Sequence, residues 1–404
     1  MVKQTTKSII PEDWEQKSFS ECVEKTSIPR QIKIPQGQYQ KAGEYPIVDQ
    51  SADFIAGYTD DKSRLYSGQL PVIVFGDHTR IFKYVDFAFS LGADGTKLLC
   101  PKKYLNPRYF FYYLCGLSLE SKGYNRHYKY LKEKLISFPG MLEQRKISHI
   151  LLNIKNAIDQ QEQIIAKTKE LKRSLMHQLF TQGLCGEELK ETEIGMMPDS
   201  WEAKEISNLV EKTKQRNPAQ NPDSVIKYVD VSGISRDIYA IVDYKNYKGP
   251  NAPSRARKEV KMGDVIFATV RPTLKRIAIV TEFFNNELCS TAFCVLRTKK
   301  EMLSSRYLYY CLQRENFVEE LGKLQRGASY PAVTDNDVKK QKIPIPEILE
   351  QEEIAALLHS ADTKIGQAED KRNIFQDLFK SLLQVLMTGQ VRVNDIDFEG
   401  VSCE

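Results

Sequence analysis

The chain contains an internal repeat, and this constrains its fold more than any single motif does. Trp14 and Trp201, the two tryptophans among the 404 residues, each lie three positions after a proline and directly before a glutamate. The sequence Val-Glu-Lys-Thr at residues 23–26 recurs at residues 210–213, with the same spacing of 187 residues that separates the tryptophans. We therefore expect two units of similar structure within one chain.

The spacing between matched residues changes along the repeat. Arg108-Tyr109 matches Arg306-Tyr307 at a distance of 198 residues, whereas Leu142-Glu143-Gln144 matches Leu349-Glu350-Gln351 at a distance of 207. From there the spacing stays at 207 to the end of the repeat. Each copy therefore has a lobe whose loops vary in length, as surface loops do, followed by a segment of constant length.

Both constant-length segments have the periodicity of a long amphipathic helix, because apolar residues recur at intervals of three and four. The predicted stripe of the first copy comprises Ile147, Ile150, Ile154, Ala157, Ile164, Leu171 and Leu175, flanked by Leu151, Ile158, Ile165 and Leu179. The stripe of the second copy comprises Ile354, Leu358, Ala361, Ile365, Ala368, Phe375, Phe379, Leu382 and Leu386. Gln161 and Thr168 fall on the first stripe, where a polar residue fixes register. A helix of roughly 35 to 40 residues is about 50 to 60 Å long.

The lobes have the pattern of α/β structure. Buried strands are predicted at residues 70–75 and 264–268, and tyrosine-rich helices at residues 107–119 and 304–320. The predicted fold class is therefore α/β, with two globular lobes joined by a pair of long antiparallel coiled-coil helices in a pseudo-two-fold internal repeat. The predicted segments are a first lobe at 1–139, a long helix at 140–185, a second lobe at 186–345, a second long helix at 346–390 and a tail at 391–404.

Composition excludes several classes of protein. The 58 lysines and arginines exceed the 53 acidic residues by only five, a mildly basic balance that permits a polyanionic partner without requiring one. The eight cysteines form no CxxC pair and the five histidines are dispersed, which predicts reduced thiols and no metal site. The chain has no apolar run of about 20 residues and its first residues do not resemble a signal peptide, so we expect a soluble, cytoplasmic protein that does not bind membranes.

The sequence also lacks the motifs of several kinds of catalytic centre. No phosphate-binding glycine loop, nucleophile elbow or Asn/Asp-Pro-Pro-aromatic motif is present, so we expect no catalytic residues in this chain. Asp199, Glu202 and Lys204 superficially resemble the metal-binding signature of nucleases. Because the matching segment of the first copy has the same tryptophan among different charges, we interpret both segments as the entry to a lobe, with a buried tryptophan and solvated charges.

Basic loops with hydroxyl and aromatic side chains lie at corresponding positions of the two lobes. Cations pair with phosphates or with the guanine edge, and hydroxyl groups can contact other base edges, so such loops suit DNA recognition. The candidate contacts of the first lobe are His78, Thr79, Arg80, Lys83, Arg126, His127, Tyr128 and Lys129. The candidate contacts of the second lobe are Thr269, Arg271, Thr273, Lys275, Arg276, Arg326, Ser329 and Tyr330.

The whole chain resembles the specificity subunits of type I restriction-modification systems. The resemblance is carried by the lobe openings, Ile10-Pro11 to Trp14 and Met197-Pro198 to Trp201, and by the helix entries. These entries run from Phe138-Pro139 to Glu143-Gln144 and from Ile343-Pro344-Ile345-Pro346 to Glu350-Gln351. The first entry departs from the pattern, because it has one proline where the second has two.

The resemblance implies a division of labour between this chain and partner subunits. Each lobe would recognise one half of a split, asymmetric site in double-stranded DNA, and the helices would set the spacer and dock two methyltransferase subunits. Restriction subunits, which translocate and cleave DNA, would join where they are present. S-adenosylmethionine, ATP and Mg²⁺ are expected on the partner subunits, with no cofactor and no metal in this chain.

Two alternatives remain open from the sequence, and a third is disfavoured by the interpretation of the lobe-entry segments above. One is the specificity subunit of a related system in which methylation and cleavage share one chain. A second is a coiled-coil scaffold whose lobes bind proteins, which predicts no salt-dependent affinity for DNA. A third is a nuclease that uses the carboxylates near Trp201, which predicts metal-dependent cleavage that is lost in a Glu202→Ala variant.

Overall fold

The chain forms two compact units, each containing one lobe and a part of each long helix. The computed structural model describes residues 10–25, 32–92, 95–117, 119, 126–327, 331–394 and 396. Unit 1 comprises the residues up to 163 together with those from 369 onward, and unit 2 comprises residues 164–368. Below, lobe 1 is the part of unit 1 before residue 140, and lobe 2 is residues 186–345.

Lobe 1 is built from short strands and short helices. In chain order they are β1 (Glu15–Ser18), α1 (Phe19–Cys22), β2 (Tyr45–Val48), β3 (Gly57–Thr59), β4 (Val72–Gly76), β5 (Phe82–Val85), β6 (Ser90–Leu91), β7 (Thr96–Leu99), α2 (Pro107–Gly116), α3 (Tyr128–Lys132) and β8 (Leu135–Phe138). The sheet orders are β5-β4-β7, β3-β2-β6 and β1-β8. All pairings are antiparallel except that of β2 with β6.

Lobe 2 follows the first long helix, α4 (Met141–Gln182), and repeats this layout with additions. Its elements are β9 (Leu189–Thr192), β10 (Gly195–Pro198), β11 (Glu202–Glu205), α5 (Ile206–Leu209), β12 (Val210–Glu211), β13 (Val225–Val229), β14 (Lys245–Lys248), β15 (Ala256–Val260), β16 (Val265–Ala268), β17 (Ile277–Ile279), β18 (Glu287–Ser290), β19 (Phe293–Thr298), α6 (Ser305–Cys311), α7 (Glu315–Lys323), α8 (Asp335–Lys339) and β20 (Lys342–Ile345). The sheet orders are β12-β19-β16-β17, β14-β13-β18-β15 and β11-β20, together with the hairpin β9-β10. The three sheets of lobe 1 thus recur in lobe 2, where β12 and β15 each add a strand to one of them. The chain then continues into the second long helix, α9 (Ile348–Met387).

The starts of the shorter helices follow from local sequence. The Asn106 side chain accepts hydrogen bonds from the backbone N–H groups of Arg108 and Tyr109 at 3.1 and 3.0 Å, and Pro107 occupies the first position of α2, where its missing N–H costs nothing. Thr334 and Asp337 cap α8 reciprocally. The tyrosine-rich helix predicted at 304–320 is divided into α6 and α7, and the one predicted at 107–119 ends at Gly116.

Each lobe packs on the ends of both long helices. The core of unit 1 joins Phe19 and Tyr109 of lobe 1 to Leu151 of α4 and Leu386 of α9. The core of unit 2 likewise joins the side chains of lobe 2 to Leu179 and Phe180 near the end of α4, and to Ile354 and Leu358 near the start of α9. Burying a large apolar side chain contributes about 1.5 to 3 kcal/mol, so these junctions are major sources of stability.

Within unit 2 the two helix segments run in opposite directions. Ile165 of α4 clusters with Ile365 of α9, and seven residues later Lys172 Nζ lies 2.6 Å from Asp362 Oδ1. The residue number of the partner therefore falls along α9 as it rises along α4.

The predicted stripe of α4 is wrong in detail. Ile164 and Leu171 are exposed, whereas the residues predicted to flank the stripe, Leu151, Ile158, Ile165 and Leu179, are buried. These four residues are spaced by multiples of seven, which keeps a straight line of side chains facing one partner helix. Of the polar residues predicted on the stripe, Thr168 is buried.

The segment after α9 is more than a tail. Val393 is buried in the core of unit 1, and the Lys146 ammonium group donates to the Asn394 carbonyl oxygen at 2.7 Å. Residues 391–394 are therefore part of unit 1. No helix within the described ranges carries an apolar stretch long enough to cross a bilayer.

Candidate nucleic-acid interface

In lobe 1 the two predicted basic loops meet at Asp77. The His127 backbone N–H donates to the Asp77 carbonyl oxygen at 2.9 Å, and the Tyr128 N–H donates to Asp77 Oδ1 at 2.7 Å. Asp77 is buried, so its carboxylate joins the loop after β4 to the start of α3 away from solvent. The sequence placed these loops about 50 residues apart, and the fold brings them together.

The corresponding loops of lobe 2 meet through backbone pairing. The Arg271 N–H donates to the Pro331 carbonyl oxygen at 2.7 Å, and Val270 and Arg326 both form bridges with Ala332. The loop between β16 and β17 is therefore held against Pro331 and Ala332 by main-chain contacts, whereas lobe 1 adds the Asp77 carboxylate to its main-chain bond.

In each lobe a third loop contacts one of the two predicted basic loops. This third loop was not predicted from the sequence. In lobe 1 the Gln50 side chain accepts from the His78 N–H at 3.4 Å. In lobe 2 the Arg276 guanidinium donates to carbonyl oxygens of the loop that starts at Asp230. We name the loops 49–56, 77–81 and 126–128 the lobe 1 loop surface, and the loops 230–244, 269–276 and 326–332 the lobe 2 loop surface, of which residues 328–330 are not described. The signal used for prediction was basic charge, and the loops 49–56 and 230–244 contain a single cation, Arg236.

Both loop surfaces contain an arginine in the left-handed backbone region. Arg80 has φ of 65° and Arg271 has φ of 49°, and each lies between the matching strands β4 and β5 or β16 and β17. Lys275 of the same lobe 2 loop also has φ of 49°. This region costs a residue with a Cβ atom on the order of 1 kcal/mol or more, and such strain concentrates at functional sites.

Six of the candidate contacts are exposed. They are Thr79, Arg126 and Lys129 in lobe 1, and Arg271, Thr273 and Arg326 in lobe 2. Arg326 forms an ion pair of 3.5 Å with Asp337, and hydrogen bonds from Thr334 hold the pKa of that carboxyl below its usual value. His78 and Arg80 are half-buried, and Arg80 Nη1 donates to the Leu119 carbonyl oxygen at 2.7 Å.

Three candidate contacts are buried, which corrects their assignment to exposed loops. Lys83, His127 and Thr269 are 3%, 1% and 6% exposed. Lys83 lies on β5, where its ammonium group donates to the Asp53 carbonyl oxygen and lies 3.9 Å from Asp49, and burial lowers the pKa of Lys83. His127 Nδ1 lies 3.0 Å from the Asp77 carbonyl oxygen, and Thr269 Oγ1 donates to that of Ala292 at 2.9 Å. In this conformation none of the three side chains can reach a DNA groove.

Three further candidates are half-buried and hold the loops in place. The Tyr128 ring packs against Phe19 and Phe75, with centroid distances of 6.1 and 6.3 Å. Lys275 forms an ion pair of 2.6 Å with Glu315. Arg276 is engaged by the loop 230–244, as described above. The last two candidates, Ser329 and Tyr330, lie outside the described residues.

The lobe-entry segment contains a buried tryptophan beside exposed carboxylates, as the sequence predicted. Trp201 is buried, whereas Glu202 and Lys204 lie on β11 and form an ion pair with each other. The Asp199 carboxylate lies 3.8 Å from Lys190 Nζ. Cations thus accompany both carboxylates of the nuclease-like signature.

The helix-entry motif makes the same contacts in both copies. Gln144 accepts from the Asn106 N–H at 2.7 Å and donates to the Tyr104 and Pro139 carbonyl oxygens at 3.1 and 2.9 Å. Gln351 accepts from the Ser304 N–H at 2.9 Å and donates to the Met302 and Pro346 carbonyl oxygens at 3.1 and 2.9 Å. This glutamine therefore ties each long helix to the tyrosine-rich helix of its lobe.

Comparison with known proteins agrees with this geometry. Residues 198–374 match the family model of the type I restriction modification DNA specificity domain. The chain is 26% identical over 329 residues to the type I restriction enzyme MjaVIII specificity subunit of Methanocaldococcus jannaschii, covering 76% of each chain. It is also 26% identical over 427 residues to the putative MjaX specificity subunit of that organism, covering 97% of this chain and 96% of the relative.

A solved structure has the same fold over nearly the whole chain. The type I restriction-modification S subunit from M. genitalium superposes with a TM-score of 0.62, covering 95% of this chain and 98% of that one at 14% sequence identity. The repeat and the paired helix entries agree with these matches. Residues 198–374 resemble the DNA specificity domain of type I restriction-modification systems, and nearly the whole chain is similar to a specificity subunit of such a system.

Proposed function

We propose that each lobe recognises one half of a split, asymmetric DNA site and that the chain has no catalytic centre of its own. The observation that carries this proposal is the recurrence of a three-loop surface in both lobes with different side chains. Lobe 1 exposes Thr79, Arg126 and Lys129, whereas lobe 2 exposes Arg271, Thr273 and Arg326. Because each base pair presents its own pattern of donors and acceptors in the major groove, different side chains imply two different half-sites.

The long helices set the spacer between the two half-sites. Their lengths of 42 and 40 residues correspond to about 60 Å each. Half-sites recognised from one face of DNA lie roughly 34 to 36 Å apart, or a multiple of that distance. The constant spacing of the repeat along these helices and their opposite directions in unit 2 support the role of a spacer.

The same helices dock two methyltransferase subunits. Leu142 and Leu349 are exposed at matched positions of the repeat, and so are Leu171 and Leu378, with 62% and 42% of their surface accessible. Exposed apolar side chains at matched positions offer two copies of one partner the same contacts. S-adenosylmethionine, ATP and Mg²⁺ bind to the methyltransferase subunits and to any restriction subunits.

An exchange of lobes tests the recognition proposal. Lobe 2 is replaced by the corresponding lobe of another specificity subunit, and the chimera is produced in cells with its methyltransferase subunit. Sequencing of methylated adenines should show one altered half-site, one unchanged half-site and an unchanged spacer. A change in both half-sites would contradict recognition by separate lobes.

Substitutions of the exposed leucines test the docking proposal. Leu171→Glu combined with Leu378→Glu should abolish co-purification of the methyltransferase subunit without changing the melting temperature of the isolated chain. The matched control is Ile374→Glu, because Ile374 is also exposed but aligns with a lysine, Lys167, in the first copy. Undiminished assembly of the double variant would show that the methyltransferase subunits dock on a surface other than Leu171 and Leu378.

A further inference from the structure

The two loop surfaces differ most in the loop that joins β2 to β3 in lobe 1 and β13 to β14 in lobe 2. It spans residues 49–56 in lobe 1 and residues 230–244 in lobe 2, so the lobe 2 loop is almost twice as long. Neither loop carries the basic signature that marks the other members of the loop surfaces. The extra chain in lobe 2 therefore needs a different explanation from phosphate binding.

Arg276 fixes the first part of this long loop. Its Nη1 donates to the carbonyl oxygens of Val231 at 2.9 Å and Ile234 at 2.6 Å, with Ser232 at 3.4 Å. A second attachment lies further along, where the Tyr309 hydroxyl donates to the Tyr239 carbonyl oxygen at 3.2 Å. Tyr239 itself has φ of 50°, a conformation that persists only where the surroundings impose it. A loop anchored at these points is preorganised, unlike an ordinary surface loop.

The exposed side chains of the loop are of the kinds that recognise base edges. Arg236 is a cation, Asp237 and Asp243 are carboxylates, and Ile238 and Val242 are aliphatic groups with 51% and 57% of their surface accessible. In the major groove a guanidinium suits guanine, a carboxylate accepts from the amino group of cytosine, and an aliphatic group contacts the methyl group of thymine. Carboxylates repel phosphates, so this mixture suits base recognition and not backbone binding.

The base of the loop also encloses a cleft. Tyr228, Asp243, Tyr244, Lys245 and Arg255 are among its lining residues, and its volume is about 150 Å³. Asp230 also lines it, so the cleft combines aromatic faces, two carboxylates and two cations on the same lobe as the exposed Arg271 and Thr273. The loop 230–244 lines the cleft and also accepts hydrogen bonds from Arg276 of the loop 269–276. The two loops and the cleft are therefore adjacent.

We infer that the loop 230–244 is a specificity-determining element of lobe 2 and that Arg276 is its positioning residue. The inference rests on the proposed function. It assigns to lobe 2 contacts with base edges beyond those of the loop 269–276, and it gives Arg276 a role that requires no contact with DNA. The half-site of lobe 2 therefore contains base pairs whose recognition depends on the conformation of residues 230–244.

The test compares Arg276→Met with Arg216→Met in the complete complex with the methyltransferase subunit. Arg216 is the matched control, because its guanidinium also donates to a backbone carbonyl, that of Asn286 at 2.8 Å, elsewhere in lobe 2. Methylation rates are measured on duplexes that carry each single base substitution in both half-sites, and the melting temperature of each isolated chain is recorded. Arg276→Lys, which keeps the charge but loses the planar fork, is the conservative variant.

The Arg276→Met variant should lose roughly ten-fold in discrimination at one to three base pairs of a single half-site. The other half-site and the Arg216→Met control should keep their preferences, and Arg276→Lys should fall in between. Unchanged discrimination, or an equal fall in rate on every duplex with a lower melting temperature, would overturn the inference. If the wild-type complex shows no preference for a two-part site, the proposed function itself fails.

Discussion

The two junctions between lobe and helices hold a glutamate of the same repeat position in different ways. In unit 2, Glu350 accepts from the Trp201 indole N–H at 3.0 Å and from the Leu184 N–H at 2.9 Å. In unit 1, Glu143 accepts two hydrogen bonds of 2.8 Å from the Arg392 guanidinium. The indole N–H of Trp14 has no hydrogen-bond partner among the described residues.

The difference follows from chain connectivity. Gly183 and Leu184 lead from α4 directly into lobe 2, so the junction of unit 2 is made by continuous chain. Arg392 and Asp13, which form a hydrogen bond of 2.8 Å, are 379 residues apart in sequence. A bidentate arginine–carboxylate pair is among the strongest polar contacts. In unit 1 the contacts of Arg392 with Glu143 and Asp13 join the two long helices to lobe 1, whereas in unit 2 the continuous chain after α4 makes this connection.

The largest expected effect comes from breaking the arginine contact. Arg392→Met leaves the buried Glu143 carboxylate without its cation, which should cost about 3 to 5 kcal/mol of the free energy of unfolding. Chemical denaturation of the purified chain measures this loss. The control Arg173→Met, at an exposed position of α4, should change it by less than about 0.5 kcal/mol. A loss below about 1 kcal/mol for Arg392→Met would show that unit 1 does not depend on this contact.

The shared glutamine should matter equally at both junctions. Gln144→Leu and Gln351→Leu each remove three hydrogen bonds to backbone groups, one of them buried and two part-buried, so each should cost about 2 to 3 kcal/mol. The same denaturation experiment compares the two variants directly. If one were tolerated and the other were not, the junctions would differ in more than their glutamates.

The two tryptophans should differ by a smaller amount. Trp201→Phe removes the hydrogen bond to Glu350, whereas Trp14→Phe removes no bond that the structure shows. Both variants lose similar volume, so Trp201→Phe should cost about 1.5 kcal/mol more, the lower end of the net contribution of a hydrogen bond to a charged group. Equal losses would mean that packing alone decides the role of this residue.

The smallest effect concerns Asp13. Its hydrogen bond from Arg392 lowers the pKa of this exposed carboxyl below 3.8. A depressed carboxyl pKa means that the stabilisation is present above the unfolded pKa and is lost as the pH falls through the folded pKa. Titration by NMR should show the Asp13 pKa rising toward its ordinary value in the Arg392→Met variant. An unchanged pKa of Asp13 would show that Arg392 does not interact with this carboxyl group in solution.

The sequence predicted the parts of the fold that recur in it. Conserved spacing after Gln144 and Gln351 indicated two long helices, and the matched tryptophans indicated buried lobe entries. The same repeat located two of the three loops of each loop surface. These features are predictable because comparison of the two copies of the repeat identifies the positions where packing fixes the segment length or the residue type.

The direction of individual side chains was not predictable in this way. Lys83 occupies a position of β5 that alternates with half-buried aromatics, so its burial depends on strand register and on the carbonyl oxygen of Asp53. His127 and Thr269 are buried by contacts with residues distant in sequence. The loop 230–244 escaped prediction because its attachment to Arg276 depends on the fold and not on composition.

The left-handed arginine of lobe 2 has a consequence for how such a chain evolves. At Arg271 a glycine would adopt the observed backbone angles without the steric cost that arginine bears. Selection for heat tolerance alone would therefore favour glycine at this position, whereas the DNA contact proposed for lobe 2 would favour the cation. If Arg271 has that proposed role, variants recovered under the two regimes should diverge there first, and residue 271 would mark the conflict between stability and function.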